Sequence, residues 1–379
     1  MKVVTIWQTY GPYHLARVQA LQELFRDNTV VCLSHCDEDS VTYPFFNLTP
    51  PIHEVISPGE ATDIVFSKAI WRTYRILRRH SPDLVLTCGY ERPETLGAEI
   101  FGLLYRKPVF LMLDNQYADR PRNVLVEWIK RIYLRLFDGF IYGGDTHENY
   151  LRVLRVPVGR EVYGYNCVDN DLINQLANKF RTEGDRELEG TNYFLCVARF
   201  IEKKNLPRLI SAYADYKSKI KKDEAWKLVL VGDGPERSKI EREIERFGLQ
   251  HHVKLAGRVD DFEQVIRWLA FAKALILPSS HNEQWGLVVN EAMAANRPVI
   301  VSKQCGCASS LVKEGENGFT FDPFEPELLA KHMVWMHVNE TKLDEMGRRS
   351  FEIVQQYSPE SFARNVQWLY QKVSRNTSK

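Results

Sequence analysis

The chain contains 379 residues, which is enough for two domains of ordinary size. With 44% hydrophobic residues, 26% charged residues and a formal net charge of +1, it has a globular composition and lacks the positive charge typical of nucleic-acid-binding proteins. No apolar run approaches the ~20 residues that span a bilayer, the N-terminal segment lacks a signal-peptide core, and seven scattered cysteines without a CxxC pair favour a reducing compartment. We therefore expect a cytoplasmic protein.

Short apolar segments alternate with helical patterns along the first part of the chain. The strand-like segments are 2–7, 30–34, 83–88, 108–113 and 139–144. Helical patterns lie near 13–26, 94–105 and 145–154. Continuous apolar strands separated by helices predict a parallel sheet that is covered on both faces.

The alternation then starts again. Strand-like segments recur at 193–199, 226–232, 252–257, 274–279 and 297–302, with helices between them. We interpret the polar stretch 169–192 as a linker. The pattern predicts an α/β protein of two doubly wound, Rossmann-like domains facing across a cleft, with ligands beyond the carboxyl ends of the strands. The predicted domains are 1–170 and 171–357, followed by a helix at 358–379 that Ser358 caps.

The stretch 274–302 is the most informative part of the sequence. Its strand ends at Pro278–Ser279, a polar loop follows, and a helix begins near Leu287. The N-terminus of a helix presents free N–H groups to an anion, so a pyrophosphate would lie over Trp285, Gly286 and Leu287. Glu291 would then accept hydrogen bonds from ribose hydroxyls, and Glu283 would lie near the attached sugar. Without further context, the more common interpretation is that Glu283 is an acidic residue near the start of a helix and Glu291 is a surface residue.

The residues around this pair add specificity. Glu283 and Glu291, followed by AMAANRPVIVS, resemble the donor-site signature of the retaining glycosyltransferases of family 4, which have the GT-B architecture. Asn296 stands where glycine is common, and asparagine tolerates the left-handed helix-end conformation. In CGCASSLVKEG, Cys307 and Ser310 stand where the family has a glycine and an acidic residue.

Two more segments of the C-terminal half extend the resemblance. VARFIEKKN resembles the family segment in which two cations, here Arg199 and Lys204, neutralise the diphosphate leaving group. VKLAGRVDD resembles the stretch whose backbone contacts the nucleobase. The resemblance implies nucleotide contacts at Gly257, Arg258, Val259, Gly286, Leu287, Val288 and Glu291. It also implies that the helix at 358–379 crosses back to the N-terminal domain.

The N-terminal half resembles the family more loosely. Gly11 follows the first strand, where relatives often have a glycine-rich loop facing the donor phosphates, and His14 opens the next helix, either as an acceptor-side residue or as a cap. Asp114 and Asn115 follow the strand 108–113, where many members place a histidine near the anomeric carbon. We expect Asp114 near the reacting centre, with His14, Asn115 and Asp119 towards the acceptor.

The resemblance implies a retaining hexosyltransferase that moves a sugar from a nucleotide-diphosphate sugar, a UDP- or GDP-sugar, to an acceptor hydroxyl in glycan, glycolipid or glycoside biosynthesis. The acceptor would be a carbohydrate, a lipid-linked compound or a small molecule. No DxD-type acidic pair lies in a suitable loop, so we expect no metal and no cofactor. A sugar phosphorylase, a sugar-nucleotide epimerase and a non-catalytic nucleotide-sugar-binding protein remain as alternatives.

Two segments are both basic and aromatic, at 70–80 and 128–137. At helical spacing, Ile70, Tyr74 and Leu77 share one face, while arginines point elsewhere. Such segments are either amphipathic helices packed on the sheet with solvated arginines, or a surface for anionic lipid at the inner face of a membrane.

Overall fold

The computed structural model describes residues 1–25, 30–35, 52–57, 65–119, 121–157, 159–221 and 224–377. Two parallel sheets are built from the following strands. They are β1 Val3–Trp7, β2 Val30–Ser34, β3 His53–Val55, β4 Leu84–Cys88, β5 Val109–Leu113, β6 Gly139–Tyr142, β7 Glu161–Tyr163, β8 Tyr193–Val197, β9 Lys227–Val231, β10 Val253–Gly257, β11 Ala274–Leu277, β12 Val299–Ser302 and β13 Gly318–Phe321.

Helices connect these strands and cover both sheets. They are α1 Pro12–Leu24, α2 Phe66–His80, α3 Pro93–Tyr105, α4 Val124–Leu134, α5 Asp145–Val153, α6 Asn170–Glu183, α7 Leu206–Lys219, α8 Arg237–Arg246, α9 Phe262–Phe271, α10 Leu287–Ala294, α11 Ala308–Leu311, α12 Pro326–Val338, α13 Leu343–Val354 and α14 Pro359–Thr377. Across the described ranges, none of these helices combines the length and the apolar character needed to cross a bilayer.

The N-terminal sheet has the strand order β3-β2-β1-β4-β5-β6-β7, and the C-terminal sheet has the order β10-β9-β8-β11-β12-β13. Neighbouring strands are parallel throughout both sheets. The predicted α/β fold of two Rossmann-like domains is confirmed. The strand order reverses between β1 and β4 in one sheet and between β8 and β11 in the other, so a ligand crevice is expected beyond these strand ends.

Each sheet is buried on both faces, as its continuous apolar strands require. In the N-terminal domain, α1 and α14 cover one face, while α2, α3, α4 and α5 cover the other. In the C-terminal domain, α6, α9, α10 and α13 cover one face, and α7, α8 and α12 cover the other. The functional residues are therefore left to the loops at the strand ends.

Two segments connect the domains. The stretch interpreted as a linker contains α6, whose buried Ile173 and Ala177 pack in the C-terminal core. The final helix α14 leaves the C-terminal domain and packs on α1, β6 and β7 of the N-terminal domain. Ser358 caps α14, because its Oγ accepts a hydrogen bond from the Ser361 backbone N–H at 3.2 Å.

Candidate functional site

The predicted anion-binding turn is formed by the end of the polar loop and the start of α10. Gly286 precedes the first helical residue, Leu287, and has a φ of 105°, a conformation that favours glycine. A Cβ at this position would lie 2.5 Å from Leu277 Cδ2. Leu287 and Val288 are half-buried at the first turn of α10, where backbone N–H groups have no partner within the helix. At the other end of α10, Asn296 has a φ of 57°, which confirms the left-handed helix end.

Glu283 is held in the loop after β11 by cations and a hydroxyl. Its carboxylate forms an ion pair with Lys204, lies 4.0 Å from Lys203 Nζ and accepts a 2.8 Å hydrogen bond from Ser279 Oγ. Burial tends to raise the pKa of Glu283, but the two lysines and Ser279 outweigh burial and lower it. Glu283 is therefore a buried carboxylate that stays ionised.

The cations come from the loop that follows β8, on the other side of the strand-order reversal. Lys203 and Lys204 lie in a 3-10 helix, Glu202–Lys204, and Lys203 Nζ donates to the Asn282 carbonyl at 3.0 Å. Arg199 is exposed, and its guanidinium has no hydrogen-bond or ion-pair partner within the part of the chain that the structure describes. This arrangement leaves Arg199 as a cation available to an anionic ligand.

Glu291 lies in α10 and is only 4% exposed. Its Oε1 accepts a hydrogen bond from the hydroxyl of Tyr13, which lies in α1 of the N-terminal domain. Burial raises the pKa of Glu291, and the Tyr13 hydrogen bond opposes that shift. The carboxylate predicted to bind a ribose is thus already engaged by the opposite domain.

A polar cavity of about 540 Å³ opens at the strand-order reversal of the N-terminal sheet. Trp7 and Cys88, at the ends of β1 and β4, line it. His14, Asp114 and Asn115, all predicted site residues, line it too. Gln284 of the donor loop also reaches this cavity, so the two predicted halves of the site meet there.

The titrating groups of the cavity are shifted by burial. Burial raises the pKa of Asp114, while the nearby His147 opposes that shift. Burial and Arg17 hold the pKa of His14 well below its usual range. His14 Nδ1 accepts a 3.0 Å hydrogen bond from the Gly11 N–H, which fixes the neutral ring with its proton on Nε2. Gly11 and His14 therefore form the N-terminal cap of α1.

Two further predicted site residues, Asp119 and Trp285, form hydrogen bonds within the protein. The Asp119 carboxylate accepts a 2.8 Å hydrogen bond from the Gln116 backbone N–H. Trp285 is 3% exposed and donates from Nε1 to Asn290 Oδ1 at 2.8 Å, so its side chain contributes to the core and not to a phosphate site. Its assignment to the donor loop holds only for the position of its backbone.

The predicted nucleobase segment lies at the end of β10. Gly257 has a φ of 79°, and a Cβ there would meet no atom within 4 Å, so the backbone is open on this side. Arg258 is half-exposed and pairs with Asp260 at 2.6 Å, while the half-buried Val259 packs against the core. A backbone contact at this turn is compatible with the geometry.

Three residues that the sequence did not single out connect the N-terminal domain to the donor loop. Gln116 Nε2 donates to the Glu283 carbonyl at 3.1 Å, and His147 Nε2 donates to the Gln284 carbonyl at 2.9 Å. Thr146 Oγ1 donates to the Gly306 carbonyl at 3.0 Å. His147 repeats the cap of His14, since its Nδ1 accepts from the Gly144 N–H at 3.0 Å. The spacing shared by Gly11-x-x-His14 and Gly144-x-x-His147 was a signal in the sequence.

The two departures from the family pattern lie at the same junction. Ser310 Oγ accepts a 2.9 Å hydrogen bond from the Asp145 N–H, so it joins α11 to α5. Cys307 is fully buried beside this contact in the core. Ser310 therefore connects the two domains, whereas Cys307 packs in the core of the C-terminal domain. Among the described residues, no group of three or more His, Cys, Asp or Glu side chains is placed to hold a metal ion.

Comparison with known proteins agrees with this geometry. The model of the family described as glycosyl transferases group 1 matches residues 179–353, which include β8 to β13 and the whole donor loop. Residues 179–353 belong to this family. The group 1 segment thus covers the residues that hold Glu283, Lys204 and Glu291.

Individual relatives of the chain are distant. It is 24% identical over 258 residues to an alpha-monoglucosyldiacylglycerol synthase of Acholeplasma laidlawii, covering 68% of this chain and 60% of the relative. Sucrose-phosphate synthase from Thermosynechococcus elongatus superposes with a TM-score of 0.76 at 18% identity over 99% of both chains. Alr3699/HepE of Anabaena, solved with UDP and glucose, gives 0.71 at 18% identity over 100% of both. These structures establish the GT-B fold. The chain spans 24% to 60% of the length of three curated relatives.

Proposed function

We propose that the protein transfers a hexose from a nucleotide-diphosphate sugar to an acceptor hydroxyl with retention of anomeric configuration. The observation that carries the proposal is the pairing of two half-sites across one cleft. On one side, Glu283, Lys204 and the N-terminus of α10 surround a position for a diphosphate sugar. On the other side, a polar cavity of about 540 Å³ with Asp114 and Asn115 is large enough for a sugar or another polar acceptor.

The bond changes follow from these positions. The bond between the anomeric carbon and the diphosphate oxygen breaks, and Arg199, Lys204 and the N–H groups of Leu287 and Val288 stabilise the charge that develops on the diphosphate. The acceptor hydroxyl attacks from the side of the leaving group and forms the new bond to the same carbon. Its proton passes to the departing phosphate oxygen, so no protein base is required.

The proposed role of Glu283 follows from its ionisation. Because the lysines keep it charged in a buried position, the carboxylate can orient sugar hydroxyls and stabilise positive character on the sugar ring. Its ion pair also fixes the side chain before the donor binds, so little reorganisation is needed in the transition state.

The donor is proposed to be a UDP- or GDP-sugar, and the reaction is proposed to need no metal and no cofactor. UDP is bound by Alr3699/HepE of Anabaena, and lipid glucosylation is named for the Acholeplasma relative. A glycan, glycolipid or glycoside acceptor agrees with these names. The described cysteines are free, which favours the cytoplasm as the place of action.

The test is donor binding by the variants Glu291→Ala and Arg199→Ala, measured by calorimetry with UDP, GDP and their sugars. Each variant should bind nucleotide at least tenfold more weakly while its thermal unfolding stays cooperative. The matched controls are Glu327→Ala and Arg242→Ala, which change exposed residues of the same domain. Unchanged affinity in both site variants would refute the assignment.

Product analysis separates this reaction from related chemistry on the same fold. With donor and acceptor, a glycosyltransferase releases a nucleoside diphosphate and a glycoside of retained configuration. A sugar phosphorylase would require inorganic phosphate, and an epimerase would convert the donor alone. A non-catalytic binder would give none of these products.

A further inference from the structure

The outer sides of α2, α3 and α4 carry an unusual share of exposed apolar side chains. Of the 22 large hydrophobic side chains that are exposed in the described residues, 12 lie on these three helices, while only three lie between positions 171 and 357. The twelve are Phe66, Trp71, Ile100, Leu103, Leu104, Tyr105, Val124, Leu125, Val126, Trp128, Ile129 and Ile132. An apolar surface of this extent on a folded domain marks an interaction site.

The three helices lie on the same side of the N-terminal sheet, and we call their outer surface the apolar-basic face. All three contribute side chains to one core cluster, and α2 packs along α3. Trp71 stacks on Tyr74 at 5.3 Å between ring centres, and the Tyr74 hydroxyl lies 3.4 Å from that of Tyr105 on α3. Tyr133 of α4 packs against the same core cluster that contains Phe101 of α3.

The exposed charged side chains of α2 on this face are all positive. Five cations of α2 are exposed, and the helix contains no acidic residue. They are Lys68, Arg72, Arg75, Arg78 and Arg79. Only Arg79 forms an ion pair within the described ranges, with Glu54. On α4, Val124 is 87% exposed and Leu125 is 65% exposed, so the same side of the domain also carries strongly exposed apolar groups.

We propose that the apolar-basic face binds the surface of an anionic lipid bilayer. The exposed side chains of α4 and of the end of α3 enter the boundary between headgroups and acyl chains, and the cations of α2 contact lipid phosphates. A second copy of this chain would be a poor occupant, because two such faces would bring five exposed cations of each α2 together.

The position of this face also suggests how an acceptor arrives. Helices in a parallel sheet begin at the edge where strands end, so the exposed first turn of α4 lies on the side of the cleft. Lys130 of α4 lies 5.5 Å from the ring centre of Tyr90, and Tyr90 lines the cavity that contains Asp114 and Asn115. A lipid-linked acceptor in the same bilayer would therefore lie next to the cavity. This second step rests on the proposed glycosyl transfer, whereas bilayer binding does not.

The experiment is co-sedimentation of the full chain with vesicles of phosphatidylcholine, with or without about a third phosphatidylglycerol, at low and high salt. Binding should require the anionic lipid and weaken with salt. A basic residue near an anionic surface contributes roughly a fivefold change in partitioning. The triple variant Lys68→Gln, Arg75→Gln, Arg78→Gln should therefore bind about 100-fold more weakly. The control changes three exposed C-terminal cations to glutamine. They are Arg242, Lys331 and Arg348.

Insertion of α4 is tested separately with brominated lipids, which quench tryptophan fluorescence inside the bilayer. Quenching should fall in Trp128→Phe but not in Trp368→Phe, whose tryptophan is exposed on α14. Equal binding to neutral vesicles, or full binding by the triple α2 variant, would overturn the proposal. So would a concentration-dependent dimer that Val124→Ser and Leu125→Ser abolish, because the face would then be covered by a second copy. Vesicle binding without any sugar transfer would leave this inference standing and refute the proposed function.

Discussion

Replacement of Glu283 by glutamine tests the energetic basis of the donor loop. The side chains of Glu283 and Lys204 are only 10% and 12% exposed, so water cannot replace the lost partner. Removing one member of such a buried pair costs about 3–5 kcal/mol, since the other charge is left uncompensated. Against a total stability of about 5–15 kcal/mol, this loss is large enough to measure by urea unfolding.

A double-mutant cycle separates this effect from a general defect. Lys204→Met alone should also destabilise the protein, whereas Glu283→Gln combined with Lys204→Met should regain about 2–3 kcal/mol, because the uncompensated charge is removed. Transfer activity should stay lost in the double variant. As a matched control, Glu352→Gln breaks an exposed pair with Arg349 and should change stability by no more than about 0.5 kcal/mol.

The pH dependence of this cycle has a defined sign. Because the folded pKa of Glu283 lies below its unfolded value, the pair contributes stability above the unfolded pKa and loses it as the pH falls through the folded pKa. The difference between wild type and Glu283→Gln should therefore shrink in acid. A coupling energy below about 0.5 kcal/mol, or a difference that grows in acid, would refute the interpretation of a buried ion pair.

Three other substitutions test separate features. Gly286→Ala should destabilise by about 1–2 kcal/mol from the left-handed backbone alone and weaken nucleotide binding, as measured by urea unfolding and calorimetry; normal affinity would contradict the role of this turn. Burial and Asp138 raise the pKa of Glu99 to about 8, so its contribution to stability is lost as the pH rises from about 4.5 to about 8. Glu99→Gln should therefore raise the melting temperature at pH 8 and not at pH 4, unlike the exposed control Glu23→Gln. Tyr13→Phe frees Glu291 for a ribose and should tighten nucleotide binding by up to about tenfold; weaker binding would mean that the phenol contacts the nucleotide.

Local patterns were sufficient for much of the fold. Apolar runs predicted the central strands. Helix α10 begins at Leu287, where the polar loop was predicted to end. Two three-residue edge strands, His53–Val55 and Glu161–Tyr163, were missed because such short segments show no apolar run or alternation. The interpretation of 169–192 as a linker overlooked α6. This helix is mostly polar and buries only a few apolar residues, so its sequence resembles that of a linker.

The positions of the candidate site residues were predictable where they depend on one segment and not where they depend on the domain arrangement. Glu283 and Glu291 follow from the loop and helix around them. The hydrogen bond from Tyr13 to Glu291 joins residues 278 positions apart, and no local pattern specifies it. The same holds for Gln116, whose side chain reaches the Glu283 carbonyl from the other domain. The burial of the Trp285 side chain also depends on tertiary packing, and its place in the donor loop stays a prediction.

The return of α14 to the first domain affects how the chain can be synthesised and divided. Phe362, Val366 and Leu369 complete the core beneath β1 and β4, although they follow the whole C-terminal domain in the sequence. The N-terminal domain therefore cannot finish folding while it is being made, whereas 171–357 has all of its strands and core helices earlier. A fragment that stops after β7 would expose this core, and a stable N-terminal fragment would have to carry α14 on a new connection.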